Sequence, residues 1–369
     1  MTTTSTGHDL RLAVQEIVDA GFAGAQLRVR DEHGEWTGSA GARMLGDPEP
    51  PSTDGRFWIG STTKPFTATV VLQLVAEGAV GLESRVADVL PHLGLDDRIT
   101  VRMLLQHTSG LYNYTGELAD DGTFVPGIPS IGKDWVDHRF RTYTAEELVR
   151  GALAQPARFE PGTGFSYANT NYTLAVLLVE QVTGRAYADE LARRVLEPLG
   201  LHDTVVPGGD PRLPEPHAHG YTRYEDVDGW HVVDVTQQNS SMLIGAGDLV
   251  STTADLATFA SALAGGRLLP APLLTEMSTP HPPIGYGLGL FVQDLGDDAG
   301  VVLHHNGGAP GGFGALMYTT PGGGKTLTAS FTMGDAPTDP AAVFPGVLAR
   351  LVGQVFGPVP GGAQPGTTS

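Results

Sequence analysis

Ser61 and Lys64 stand three residues apart in Ser61-Thr62-Thr63-Lys64, at the start of an apolar helical stretch that runs to about Glu77 and stops at Gly78. On a helix, positions i and i+3 share a face, so the lysine amine can reach the serine hydroxyl. A serine hydroxyl is a poor nucleophile until a nearby base takes its proton. Lysine becomes such a base when burial and the positive potential of a helix start lower its affinity for protons. Placed at that start, Ser61 also turns its own backbone N–H toward a developing oxyanion. The plain alternative is a capped helix with a surface lysine. The Trp58-Ile59-Gly60 run just before the motif favours chemistry.

A second group is Tyr167-Ala168-Asn169, which follows the turn Glu160-Pro161-Gly162-Thr163-Gly164 and precedes another apolar helix. A tyrosine beside a lysine can hold a phenolate or relay a proton. An asparagine offers both a donor and an acceptor, enough to orient Lys64 and a substrate amide together, or simply to cap the helix. Asn171 and Tyr172 lie close enough to compete for these roles, and spacing does not choose between the pairs. The third group is His305-Asn306-Gly307-Gly308. Its glycines let a substrate lie along a strand edge without a side-chain clash, and the Gly308 N–H is the expected second oxyanion donor.

Other patterns carry less. Gly164-Phe165-Ser166-Tyr167-Ala168 is close to a nucleophile elbow but follows a Pro-Gly loop where that elbow needs a strand. Gly323-Gly324-Lys325-Thr326 has Thr319 where a phosphate loop needs its first glycine. His217-x-His219 and His304-His305 lack the further ligands of a zinc site.

The elements that must position these residues follow from periodicity. A first helix carries Leu10, Ala13, Val14, Ile17 and Val18 on one face. The runs 25–30 and 35–42 form a hairpin. Capped helices follow at Thr100–His107 and at Ala145–Ala154, where Thr144 and Glu147 make a capping box. Further helices are expected at Tyr172–Val182, Tyr187–Leu196 and Leu256–Leu263. In the last third, Tyr286–Gln293, Val301–His304, Gly314–Thr319 and Thr326–Phe331 read as antiparallel strands, and Val347–Phe356 as a closing helix. The expected class is α+β: a sheet domain from both chain ends (1–70 and 245–356), a mostly helical insertion (71–244) and a disordered tail (357–369). Two long loops, Tyr112–Tyr143 and His202–Thr236, hold Tyr112, Tyr114, Phe124, Trp135, Tyr221, Tyr224 and Trp230. These aromatics either wall a substrate site or pin the loops to the body.

The bulk numbers bound the function. A net charge of −19 over 369 residues argues against nucleic acid and anionic membranes as partners. The lack of cysteine excludes a thiol nucleophile, thiolate metal sites and disulfides. Met1–Gly7 carries no secretory pattern and no run of about 18 apolar residues exists, so a cytoplasmic location and no membrane span are expected.

Together the three groups give a family resemblance. With Ser61-x-x-Lys64, Tyr167-x-Asn169 and His305-x-Gly307, the chain resembles the penicillin-recognising serine enzymes, in the branch of class C β-lactamases, related esterases and D-alanyl-D-alanine carboxypeptidases, and most of all the carboxypeptidases. The likeness runs from about Leu10 to Phe356. It includes Met103–Leu111, Ser251–Leu256 and Gly285–Gly289, which are mainly scaffold in such enzymes, so His107 is expected to be structural. The resemblance implies a five-stranded antiparallel sheet flanked by helices, an all-helical domain, and a site between them. It implies acylation of Ser61, with Lys64 and Tyr167 sharing proton transfer, Asn169 orienting, and His305 holding Tyr167 through a hydrogen-bond link. The N–H groups of Ser61 and Gly308 bind the oxyanion beside Asn306 and Gly307. It requires no metal or organic cofactor.

The carboxypeptidases of this branch hold the substrate's free carboxylate with an arginine near 290–293 and hydroxyls in the third motif. Here the strand reads Phe291-Val292-Gln293, the motif offers Asn306 and Gly308, and residues 268–324 contain no lysine or arginine. The sequence therefore points to a hydrolase or acyltransferase acting on a small or peptide-like amide or ester without that carboxylate. Water or an amine would accept the acyl group. The alternatives are a carboxypeptidase or β-lactamase borrowing Arg223 or Arg267, and a penicillin-binding sensor that acylates once and stalls.

Overall fold

The computed structural model describes residues 7–118, 122–297, 299–336 and 340–357. Asp298 and the tail from Pro358 fall outside them, as does the N-terminal stretch before Gly7.

The two chain ends build one antiparallel sheet. Its strands are β1 (Phe22–Asp31), β2 (Gly34–Gly41), β3 (Phe291–Asp294), β4 (Val301–Ala309), β5 (Phe313–Thr319) and β6 (Thr326–Met333), in the order β2-β1-β6-β5-β4-β3. The sheet thus has six strands where the resemblance implied five; β3, from the strand expected at Tyr286–Gln293, is a short edge strand paired with Val301–His304. The closing pair joins the ends: Leu27 of β1 sits opposite Ala329 of β6. Side chains alternate between the two faces. On one face, α1 (Gly7–Asp19) and α5 (Phe344–Phe356) bury Leu10, Val14, Ile17, Leu351 and Val355 against Leu27, Leu316 and Tyr318. On the other, α2 (Lys64–Ala76) and α4 (Thr253–Ala264) join a larger core with Phe66 stacked on Phe259, ring centroids 3.6 Å apart. Nearly every side chain of α2 is buried, so it is a central rather than an amphipathic helix.

Between the sheet strands run the helices Val101–Leu105, Ala145–Leu153, α3 (Asn169–Thr183) and Tyr187–Leu191. Thr100, Thr144 and Thr252 cap their helices, each hydroxyl accepting a backbone N–H three residues on. The two long loops are more ordered than their composition indicated. The first contains a short hairpin (Gly116–Leu118 with Phe124–Pro126) and the helix Gly132–His138; the second contains the hairpin Tyr221–Asp226 with Gly229–Asp234. Tyr114 and Trp135 are pinned in a separate apolar cluster with Tyr143, Leu148 and Met242, whereas Phe124 and Trp230 remain exposed. No helix among the described residues is long and apolar enough to cross a membrane.

Candidate active site

Ser61 lies in a tight 3₁₀ turn, Gly60–Thr63, and the α-helix begins only at Lys64. This differs from the expected helix start at about Thr62, and it strengthens the pairing. In a 3₁₀ turn, side chains at i and i+3 eclipse, which stacks Lys64 on Ser61 with Nζ 3.0 Å from Oγ. Pro65 in the first helical turn has no N–H to lose there. The same amine reaches Asn169 Oδ1 at 2.9 Å and the carbonyl of Ala246 at 2.8 Å. Those two oxygens only accept. A neutral lysine gives each of them an N–H and keeps its lone pair for the Ser61 hydroxyl proton. The environment favours that state: Lys64 is wholly buried, and burial holds its proton affinity well below that of a free lysine, opposed by the charge of Asp248.

Tyr167 covers the other side. Its ring lies 4.6 Å from Lys64 Nζ, with the Ser61 hydroxyl nearby. Burial pushes its proton loss far above the ordinary tyrosine value, with the Ser61 hydroxyl pulling weakly the other way. The resting tyrosine is therefore a proton donor rather than a phenolate.

The competition left open by spacing is resolved by the start of α3. Asn169 turns its Oδ1 to Lys64 and its Nδ2 to Thr115 Oγ1, 3.1 Å away. Asn171 points elsewhere, to His107 Nδ1 and Ser109 Oγ, and Tyr172 donates its hydroxyl to the carbonyl of Leu105. His107 does more than the scaffold role expected of it, because it brackets Tyr167. Its carbonyl accepts the Ser166 N–H at 3.0 Å, its Nδ1 accepts the Ala168 N–H at 3.2 Å, and its ring centroid is 4.3 Å from that of Tyr167. It holds a φ of 59°, a left-handed conformation rare outside glycine, and its protonated Nε2 is buried with no partner.

The third group lies within β4 itself. Gly307 and Gly60 bring this strand against the turn that carries Ser61. A methyl group on Gly307 would sit 1.9 Å from the Ile59 carbonyl oxygen, and one on Gly60 would sit 2.4 Å from that of Gly308. Gly308 is exposed at the strand edge beside Ser61. His305 faces the tyrosines, but not in the way expected. Its Nδ1 donates to the Asn306 carbonyl at 2.7 Å, so Nε2 accepts, and the hydroxyl it meets at 3.4 Å is that of Tyr286. Its ring centroid is 6.3 Å from that of Tyr167, so the link to Tyr167 is one of packing through Tyr286. Asn306 corrects the sequence reading outright. Strand alternation turns its side chain to the opposite face, where Nδ2 donates to Tyr318 Oη at 3.0 Å beneath α5. It is not placed to meet a substrate over Ser61.

A family model described as Beta-lactamase matches residues 10–346. The chain belongs to the beta-lactamase family. Among solved structures it is similar to a D-stereospecific amidohydrolase from Streptomyces sp., with 37% identity and a TM-score of 0.79 over 90% of this chain and 95% of that one. It is also similar to the D-amino acid amidase of Ochrobactrum anthropi SV3, with 29% identity and a TM-score of 0.76 over 94% and 96% of the two chains. Penicillin-binding protein 4* of Bacillus subtilis is 27% identical over 74% of this chain, which spans 60% of that relative's length. The chain thus has the fold its motifs implied.

Several members of the site gave no sequence signal. Asn113 Oδ1 accepts the Asn169 N–H at 2.9 Å, and buried Glu117 accepts the Asn113 N–H at 2.6 Å beside Arg158. Ala246 and Asp248 approach Lys64 from a loop almost two hundred residues on. Nothing in local spacing links any of these to residue 64. The cations of the two long loops are engaged elsewhere: Lys133 with Asp137, Arg139 with the Val136 carbonyl, Arg141 with Glu147, Arg212 with Asp210. Arg223 is held by the Ala336 carbonyl and the Trp230 ring.

Proposed function

We propose that this chain hydrolyses amides or esters of D-amino-acid type through an acyl-Ser61 intermediate, and that its leaving group carries no free carboxylate. The observation that carries this reading is the series Ser61–Lys64–Asn169 beneath the Tyr167 ring, an arrangement that fits a neutral tyrosine, a neutral lysine and a serine hydroxyl ready to lose its proton. Lys64 takes the Ser61 proton as Oγ attacks the carbonyl. The oxyanion is received by the N–H groups of Ser61 and Gly308, where loss of one donor costs roughly 3–4 kcal/mol. Tyr167, kept protonated by burial, gives its proton to the leaving nitrogen or oxygen and then draws one from the incoming acceptor. Water as acceptor completes hydrolysis; an amine would complete transfer, and product analysis with and without added amine distinguishes the two.

The substrate class rests on charge. Stripping water from a carboxylate is costly unless a cation receives it. The strand beside the site reads Phe291-Val292-Gln293-Asp294, and the loop cations are already paired. The amidohydrolase and amidase neighbours are named for D-stereospecific and D-amino-acid amide substrates, which agrees. Capping the terminal carboxylate of a D-alanyl-D-alanine substrate should raise kcat/KM by at least about tenfold, or roughly 1.4 kcal/mol. A free acid cleaved as fast as its amide would overturn the substrate class. A serine-directed phosphonate should add one mass to the peptide holding Ser61, and labelling of Ser61→Ala at the wild-type extent would overturn the nucleophile.

A further inference from the structure

A buried carboxyl stands behind Lys64 that the reaction above does not use. Asp248 is 3% exposed and closes the loop 244–248, whose carbonyls serve two side chains of α2. The Ala246 carbonyl takes Lys64 Nζ at 2.8 Å, and the Gly245 carbonyl takes Thr67 Oγ1 at 2.7 Å. From α3, Thr173 Oγ1 donates to the Ile244 carbonyl at 3.0 Å. The loop is thus stitched to both helices that carry candidate catalytic residues. Asp248 ties it shut, Oδ1 accepting the Gly245 N–H at 3.0 Å. Gly245 leaves no other path: its φ is +71°, and a methyl group there would lie 2.2 Å from Val176 Cγ2.

We propose that Asp248 is a positioning residue for the catalytic base, fixing the Ala246 carbonyl against Lys64 and supplying a buried negative charge that sets when this lysine gives up its proton. The inference rests on Lys64 acting as the base. Burial pushes the Asp248 carboxyl up to about 7, and its own field lifts Lys64 against the larger effect of burial. Tyr114 and Tyr187 face Asp248 from neighbouring elements, and both are held protonated by burial. Around Lys64 stand Tyr167 and Tyr172, likewise protonated, and His107 and His305, whose burial keeps them neutral. Wherever its carboxyl is ionised, Asp248 is therefore the charge to which Lys64 responds.

Asp248→Asn keeps an oxygen for the Gly245 N–H and removes the charge. Without the carboxylate the ammonium form is less stable, so the acid limb of the kcat/KM profile for an activated ester should move to lower pH by about one pH unit. A purely structural role would lower the rate and leave the limb in place, and an unmoved limb in a folded variant overturns the proposal. Phosphonate labelling of Ser61 is run alongside: loss of labelling in the wild type would overturn the nucleophile reading, whereas labelling with an unmoved limb overturns only the role of Asp248. Should the variant not fold, the wild type decides. The chain has three lysines, Lys64, Lys133 and Lys325, so ¹³Cε labelling follows Lys64 directly. Two inflections are expected in its titration, one from its own proton and one from Asp248. A single inflection would refute the coupling.

Discussion

Tyr167→Phe keeps the ring over Lys64 and removes the hydroxyl beside Ser61, so turnover should fall by roughly 10²- to 10⁴-fold with little change in stability. Because Tyr167 and Lys64 act on the same proton path, adding Lys64→Ala to that variant should cost less than the two losses combined, which single and double variants assayed on one ester would show. His107→Ala removes the acceptor of the Ala168 N–H while the Ser166 bond to its carbonyl survives, so kcat should drop with KM held nearly constant. His107→Asn tolerates the left-handed backbone and can offer an oxygen in place of Nδ1, and should restore part of kcat. Equal losses in both variants would mean that the ring, not the hydrogen bond, does the positioning. Ser61 and Lys64 were legible from their spacing at the mouth of a helix, whereas Tyr167 and Asn169 were singled out from Tyr172 and Asn171 only by the family resemblance. Asp248, Asn113 and Thr115 were not, because only the folded loops bring them to residue 64. Asn306 was misread because a motif does not say which face of a strand it occupies.

The three elements of the site meet at glycines. β4 lies so close to the Gly60–Thr63 turn that Gly307→Ala must drive the two apart, since its methyl group would overlap the Ile59 carbonyl and lie 2.8 Å from Thr62 Oγ1. Overpacking of this kind typically costs about 1–3 kcal/mol, and here it also displaces the oxyanion edge from Ser61. Gly307→Ala should therefore lose activity beyond what its fall in thermal midpoint explains, whereas Gly308→Ala, where a methyl group meets nothing within 4 Å, should fold normally. Thermal melts and acylation rates of both variants check this. The sequence reading ended this strand at His304, because glycine weakens strands as a rule, although it placed the following glycines along a strand edge. The pairing of Asn306 to Leu316 and Gly308 to Gly314 carries the strand on to Ala309. The hairpin inside the first long loop was missed because its strands, Gly116–Leu118 and Phe124–Pro126, are three residues long and too short to show alternation.

Across the whole molecule, burial of neutral histidines ties stability to pH. His304 lies between Phe291 and Tyr318, its Nδ1 unpartnered, and burial lowers its proton affinity to about 3. His107 and His305 shift in the same direction. Between about 3 and 6.5 the unfolded chain binds protons that the folded one refuses, so this stability is full above pH 6.5 and is lost as pH falls. Asp248 acts oppositely, since its carboxyl, raised to about 7, is relieved on acidification. Glu117 and Asp255, also raised by burial, join Asp248, but the three histidines lose ground from pH 6.5 downward, so the thermal midpoint should fall between pH 6.5 and 4.5, and His304→Phe should make that fall shallower. The composite sheet was foreseeable from strands at both ends of the sequence, including the one expected at Tyr286–Gln293, of which only the end, Phe291–Asp294, joins the sheet. That sheet also has a consequence in time. A ribosome delivers Ser61 and Lys64 early, but β1 has no partner on its inner edge until β6 emerges, and the oxyanion edge of β4 comes scarcely sooner. The growing polypeptide therefore carries Ser61 and Lys64 without the proposed oxyanion edge until β4 and then β6 have been made.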